Sequence, residues 1–296
     1  MSPENEGRKC SPFAKLMLAT LFFLASLVVV RFVLELAGVS GNITRNFSSM
    51  AALFLAAIFV AAVAPLRGGL QKFVQLPLPA LILSAWTVGW VMLFTIISAV
   101  FRLERSHFAE KGDYGNWGHL GGHLAGHLEE LVAFFVIVLA LMAIVHLLWR
   151  WPVAVGPGAM LGAVVIMRFW TEAMGVEQWR AAAWSSTVGL LMCGFYLGGV
   201  GPRLGLTSAR KLLAPSLALG WAWRLWVFIA AVLSAVSPFY KTRFFDPSQG
   251  EVAARLARLL VSSVIEGFVA GLLVWGIACW IARATRPQPA EQSSGT

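Results

Sequence analysis

Eight long apolar stretches dominate this chain and constrain what it can fold into. Each has about the 20 residues that a helix needs to cross the hydrocarbon core of a bilayer. Inside a bilayer the backbone must satisfy its own hydrogen bonds, so continuous apolar stretches of this length form helices. We predict spans at roughly 14–38, 47–66, 78–101, 128–149, 153–171, 182–201, 212–236 and 257–282.

The composition agrees with a membrane protein. Of the 296 residues, 58% are hydrophobic and 12% are charged, whereas soluble domains carry about 25% charged residues. The net charge of +9 would suggest a nucleic-acid partner in a soluble protein, but here the basic residues are scattered through short loops, where they set orientation. We expect the lipid bilayer as partner, no nucleic acid, and a bacterial plasma membrane with both termini cytoplasmic.

The chain contains two similar halves. The segment RFVLELAGV at 31–39 corresponds to RFWTEAMGV at 168–176, an offset of 137 residues (168 − 31). The correspondence continues through shared prolines and tryptophans to the last helix of each half, where Glu130 aligns with Glu266. Apolar helices share leucine and valine by chance, but they rarely share charged residues, proline and tryptophan in order. We therefore predict a tandem repeat of two four-helix units.

Four spans per unit is an even number, so the second unit enters the membrane in the same direction as the first. We expect an all-α integral membrane protein with a parallel 4+4 repeat, its halves related by an axis along the membrane normal. The predicted organisation is a cytoplasmic N-terminal tail at 1–13, a first repeat at 14–151, a second repeat at 152–284 and a disordered C-terminal tail at 285–296.

Charged residues within the spans are the first candidates for a site. The predicted intramembrane charged cluster comprises Arg31, Glu35, Arg168, Glu172, Glu130, Glu266 and Arg224. Residues four apart share a helix face, and a charge at the bilayer centre costs about 2.5–3.5 kcal/mol or more, so each needs a partner. Arg31 should pair with Glu35 or Glu130, and Arg168 with Glu172 or Glu266, whereas Arg224 stands alone. The arrangement indicates either pairs that fix helix packing or a polar seam between the repeats that binds an anion, a cation or protons.

The second candidate is the segment GNWGHLGGHLAGHLEE at 115–130. His119, His123 and His127 recur every four residues, which places them about 6 Å apart along a helix. Neighbouring histidines at this spacing can bind one transition metal. We expect His123 and His127 as ligands, Glu130 as a ligand or supporting partner, and His119 nearer solvent. Haem held by one histidine, a pH-sensing cluster and a helix end without any ligand are the alternatives.

Three glycines run alongside these histidines, namely Gly118, Gly122 and Gly126. Small residues at this spacing let another helix or a flat cofactor approach the backbone closely. In the second half the positions that match the three histidines hold Arg255, Leu259 and Ser263. The histidine segment is therefore a specialisation of one half, and its glycines predict a face for a partner helix. His107 lies in the preceding loop with no evident partner.

Three functions agree with these features. Binding or transport of a small solute or ion along the Arg/Glu seam ranks first. A transition-metal or haem protein that uses the histidine segment ranks second, and a membrane scaffold or assembly subunit ranks third. The chain has no phosphate loop, dinucleotide fingerprint or nucleophile elbow, so an ATP-driven pump or an enzyme of a soluble type is not expected.

Overall fold

The apolar stretches form helices throughout the computed structural model, which describes residues 11–236, 242–246 and 250–285. The described part of the chain is all-helical, as predicted, and its only β feature is an isolated bridge between Thr242 and Phe245. Apart from 11–13 and 285, the tails predicted at 1–13 and 285–296 lie outside the described residues.

The described residues contain ten α-helices. The first five are α1 (Pro12–Leu36), α2 (Gly41–Thr44), α3 (Ser49–Val63), α4 (Pro77–Val100) and α5 (Trp117–Leu148). The other five are α6 (Pro152–Ala173), α7 (Gln178–Ala181), α8 (Ser186–Val200), α9 (Ala209–Val236) and α10 (Val252–Ala284).

Eight helical segments of the described chain are long and apolar enough to cross a membrane. They are Pro12–Leu36, Ser49–Arg67, Phe73–Val100, Trp117–Leu148, Pro152–Ala173, Trp179–Leu204, Ala209–Val236 and Val252–Ala284. Their number and order confirm the eight predicted spans. The length and composition of these helices indicate an integral membrane protein.

Helix α5 extends beyond the predicted membrane span at its start. The predicted span starts at 128 and the helix starts at Trp117, so all three histidines lie on the helix, as their spacing predicts. The side-chain oxygen of Asn116 accepts hydrogen bonds from the backbone N–H groups of Gly118 and His119, both at 3.1 Å. An asparagine in this position satisfies N–H groups that the first helical turn leaves unpaired. This cap offsets part of the cost of the glycines.

The chain divides into two compact units, Met1–His146 and Leu147–Thr296. In the first unit α1 packs against α3 and α4. Phe32 of α1 stacks on Phe94 of α4 with ring centroids 4.3 Å apart, and Phe108 from the α4–α5 loop meets Phe32 edge-on at 5.9 Å. All three rings are buried. They anchor the loop that precedes α5 to the ends of α1 and α4.

In the second unit α10 packs against both α8 and α9. Glycine makes the α9–α10 contact possible, because a Cβ on Gly220 would collide with the backbone of Gly267 and Gly271. A Cβ on Gly271 would lie 2.6 Å from the Cα of Leu217. Small residues allow helix backbones in membranes to approach closely, and dispersion contacts then stabilise the pair.

Candidate functional site

The end of α1 carries a buried carboxylate that holds the loop before α5. Glu35 accepts a hydrogen bond from Nε of Arg31 at 3.1 Å, one helical turn earlier. It also accepts the backbone N–H of His107 at 3.1 Å, and its Oε2 lies 2.6 Å from Nδ1 of the same residue. The expectation that His107 lacks a partner is therefore wrong. Contacts between residues 72 positions apart leave no periodic signal in the sequence.

The second unit contains a similar arrangement. Nε of Arg168 donates to Glu172 at 3.1 Å, and Glu172 also accepts the backbone N–H of Arg243 at 2.9 Å. Nε of Arg243 lies 4.0 Å from the same carboxylate. Both predicted pairings, of Arg31 with Glu35 and of Arg168 with Glu172, are confirmed. The i, i+4 spacing alone was sufficient to find them.

Arg224 is not alone, contrary to expectation. Its Nη2 lies 2.8 Å from Glu266 of α10, and its guanidinium lies over the ring of Trp223 at 5.3 Å. Arg224 is 9% exposed, and its buried Nε finds no hydrogen-bond partner in the described part of the chain. Glu266 was expected as an alternative partner for Arg168. Two opposite charges on consecutive apolar helices were the signal that could have identified this pair.

The histidines of α5 are oriented by an aspartate that sequence reasoning missed. Asp113 lies in the 3-10 turn Lys111–Asp113 just before α5, and its side chain has no exposed surface. Its Oδ1 is 2.7 Å from Nδ1 of His119, and its Oδ2 is 2.8 Å from Nδ1 of His123. The backbone N–H of Glu110 donates to Oδ2 at 2.8 Å. An acidic residue six positions before His119 was the only available sequence signal.

These hydrogen bonds determine the ionisation of Asp113. Loss of hydration on burial raises the pKa of its carboxyl group. The hydrogen bonds from His119, His123 and the Glu110 backbone favour the carboxylate and outweigh this effect, so the pKa lies below its ordinary value. Asp113 is therefore a carboxylate at neutral pH and can hold both imidazoles.

The third histidine has a different carboxylate partner. Nδ1 of His127 lies 2.8 Å from Oε2 of Glu130, and Nε2 of His127 lies 3.5 Å from Oγ1 of Thr95 on α4. The rings of His123 and His127 are 5.0 Å apart and inclined by 31°. Glu130 was expected as an alternative partner of Arg31 and pairs here with His127. We call Asp113, His119, His123, His127 and Glu130 the His–carboxylate cluster.

Exposure falls along this cluster. The side chain of His119 is 46% exposed, that of His123 is 23% exposed and that of His127 is 13% exposed. His119 is therefore the histidine nearest solvent, as expected. Each Nδ1 faces a carboxylate, so the hydrogen-bond network assigns the proton to Nδ1 and leaves Nε2 with a free lone pair. In the described residues no group of three or more His, Cys, Asp or Glu side chains is arranged to hold a metal ion.

The predicted face for a partner helix is open. A Cβ added to Gly121, Gly122 or Gly126 would meet no described atom within 4 Å, and one on Gly118 would meet only the side chain of Asn116, at 3.4 Å. This contrasts with the covered glycines of α9 and α10. The partner helix stays a prediction.

Comparison with known proteins gives no relative from which a role could be transferred, since no family model, no curated protein and no solved structure matches this chain.

Proposed function

We propose that this integral membrane protein binds and transports a small ion or solute, and that the species moved is a cation. Ionisable residues in membrane spans are costly, and they commonly mark ion pathways and proton relays. Three pairs of opposite charge support the proposal, because each is carried by apolar helices. The predicted Arg/Glu seam between the repeats stays a prediction.

One observation carries the proposal, namely the continuity of the His–carboxylate cluster. His119 contacts Asp113, Asp113 contacts His123, His123 lies against His127, and His127 contacts Glu130. The series runs from an exposed histidine to the point where the apolar part of α5 begins, at Leu131. Imidazole and carboxylate groups in membrane spans are typical of proton relays and ion pathways. A helix end with a purely structural role does not need a connected series of imidazole and carboxylate groups.

Ion flux into liposomes tests the proposal. The purified chain is reconstituted, and entry of protons and of divalent cations is followed with enclosed fluorescent indicators. We expect flux above that of protein-free liposomes, with a large loss in Asp113→Asn and Glu130→Gln. Glu129→Gln is the matched control, because Glu129 is an exposed neighbour of Glu130. Equal flux in liposomes with and without protein, or unchanged flux in Asp113→Asn, would overturn the proposal.

We also propose that the chain is a tandem parallel 4+4 repeat. The short helix, the second span and the 3-10 turn that follows support it, because all three recur with the offset of the sequence repeat. They are Gly41–Thr44, Ser49–Val63 and Ala64–Arg67 in one unit and Gln178–Ala181, Ser186–Val200 and Gly201–Leu204 in the other. Each pair is offset by 137 residues (178 − 41, 186 − 49 and 201 − 64).

Loop geometry gives independent support for the repeat. Gly38 and Gly175, which follow the first helix of each unit, have φ values of 79° and 75°, in the left-handed region that favours glycine. Glu35 and Glu172 each accept a backbone N–H from the loop before the last helix. Experimental coordinates of the two units should superpose with Arg31 on Arg168 and Glu130 on Glu266. Unrelated positions for these residues in the two units would contradict the proposed repeat.

A further inference from the structure

We propose that Nε2 of His123 and Nε2 of His127 bind a divalent transition-metal ion. This inference rests on the proposed function and names the class of cation at the His–carboxylate cluster. It assigns the ligand atoms to two residues of α5 and gives Asp113 and Glu130 positioning roles.

The two imidazoles are arranged to share one ion. They are four residues apart on one helix, and their ring centroids are 5.0 Å apart with an inclination of 31°. Histidines with this spacing on a helix can both bind a zinc ion, with Zn–N distances of about 2.0–2.1 Å.

The partners of the two rings fit a metal site. Nδ1 of His123 lies 2.8 Å from Asp113, and Nδ1 of His127 lies 2.8 Å from Glu130. Histidines that bind metal ions usually donate their other N–H to a carboxylate, which fixes the tautomer and the ring orientation and makes the ligand nitrogen more basic. The two rings contact different carboxylates. Both Nε2 atoms are therefore left as acceptors, and the two negative charges offset that of a dication.

His119 does not belong to the ligand set, although it completes the sequence pattern. Its Nε2 faces the preceding turn, because a Cβ on Gly112 would lie only 2.7 Å from it. Its Nδ1 shares Asp113 with His123. It therefore acts on the site only through Asp113, and its loss should leave both ligand atoms in place.

Thr95 of α4 lies close to the proposed ligand atom of His127. Its Oγ1 donates to the carbonyl oxygen of Val91 at 3.0 Å and lies 3.5 Å from Nε2 of His127. Its lone pairs are thus available to the ion or to a bound water. Because no third His, Cys, Asp or Glu of the described chain completes the site, the remaining ligands are water or this hydroxyl. Structural zinc sites are closed by four protein ligands, so an open site suits an ion that is passed on.

The donor atoms select the class of ion. Imidazole nitrogen suits zinc, copper and nickel, and affinity at such sites rises from manganese towards copper. Magnesium and calcium prefer oxygen ligands. We therefore expect Zn²⁺, Ni²⁺ and the spectroscopic probe Co²⁺ to bind, and Mg²⁺ and Ca²⁺ not to compete.

Metal titration of the full chain in detergent tests the inference. After treatment with a chelator, Zn²⁺ binding is measured by calorimetry and by elemental analysis, and Co²⁺ binding by its visible absorption. We expect one ion per chain, a loss of affinity of at least tenfold in His123→Ala and in His127→Ala, and a loss of about 10–100-fold in Asp113→Asn and in Glu130→Gln. Glu129→Gln is the matched control and should bind like the parent, whereas His119→Ala removes only a partner of Asp113 and should lose less affinity than His123→Ala.

Several outcomes would overturn the inference. A folded parent that binds none of the three ions would overturn it without any variant. A loss of affinity in His119→Ala as large as that in His123→Ala would also overturn it. A haem absorption band that disappears in His127→Ala would assign the histidines to haem. Cation flux in liposomes without metal binding would overturn this inference and leave the proposed function intact. Metal binding without flux would overturn the proposed function and leave the metal site intact.

Discussion

Glu35 holds His107 through both its backbone N–H, at 3.1 Å, and its ring nitrogen, at 2.6 Å. The carboxylate lies at the end of α1 and is 7% exposed. Six residues beyond His107, the same loop carries Asp113, which orients two histidines of α5. The Arg31–Glu35 pair therefore does more than stabilise one helix. It positions the loop that carries Asp113, the cluster residue that contacts His119 and His123.

We expect Glu35→Ala and Glu172→Ala to destabilise the protein strongly. Each change removes a carboxylate from a largely buried arginine and from a loop N–H, and breaking a buried pair costs about 3–5 kcal/mol. The melting temperature in detergent measures the effect. Glu104→Ala is the control, because Glu104 is exposed in the same loop. Equal melting temperatures for Glu104→Ala and Glu35→Ala would contradict the role of the buried carboxylate.

His107 should make stability depend on pH. Its side chain is 43% exposed, but its ring packs on Phe108 and Glu35, and the resulting loss of hydration lowers its pKa despite the attraction of the carboxylate. The unfolded chain therefore takes up this proton first. The contribution is fully present above about pH 6.5 and is lost as the pH falls through the lowered pKa.

His107→Arg isolates this contribution. It introduces the residue type found at Arg243, which the proposed repeat aligns with His107, and arginine does not titrate in this range. Melting temperatures of the parent and the variant are compared between pH 5.5 and 8. We expect the parent to lose more stability on acidification than the variant. Identical curves for the parent and His107→Arg would show that His107 makes no such contribution.

Apolar length and residue spacing along the sequence predict some features of the structure and not others. The spans follow from apolar length, and the Arg31–Glu35 pair follows from its spacing on one helix. The contacts of His107, Asp113 and Arg224 could not be predicted in this way, because they depend on how loops and neighbouring helices pack. The helical placement of the three histidines follows from their spacing, but the Asn116 cap and the loop contacts that hold the start of α5 do not.

Gly271→Ala should destabilise the second unit, whereas Gly276→Ala on the same helix should not. A Cβ at Gly271 would lie 2.6 Å from the Cα of Leu217, while one at Gly276 would meet no described atom within 4 Å. Overpacking costs about 1–3 kcal/mol, and alanine is favoured over glycine in a helix by about 1 kcal/mol. Thermal melts of the two variants in one detergent make the comparison. Equal losses would contradict close packing of α9 on α10.

Arg224 and Glu266 should contribute to stability as a pair, and removing Glu266 should cost more stability than removing Arg224. Glu266→Ala leaves a buried guanidinium without its carboxylate, whereas Arg224→Met keeps an apolar stem and leaves a carboxylate that is 48% exposed. We therefore expect Glu266→Ala to be the more destabilising change and the double variant to be close to Arg224→Met. Denaturation in mixed micelles measures the free energy of unfolding of the parent, the two single variants and the double variant. We expect a coupling energy between the two residues of about 0.5–3 kcal/mol. Strictly additive changes would mean that the pair contributes no net stability.

Under the proposed function, the orientation of the chain determines the side from which a cation would reach the cluster. If all eight candidate spans cross the membrane, both ends of the described chain lie on one side. A small excess of basic residues on that side predicts that it is the cytoplasm of a bacterial plasma membrane. The loop that carries Glu104 and Asp113 would then face outwards. We expect Glu104→Cys, in a chain whose native cysteines are replaced by alanine, to react with a membrane-impermeant maleimide in intact cells. Lys72→Cys, exposed in the loop before α4, should react only after lysis. The opposite pattern would reverse the orientation and make the cytoplasm the source of the ion.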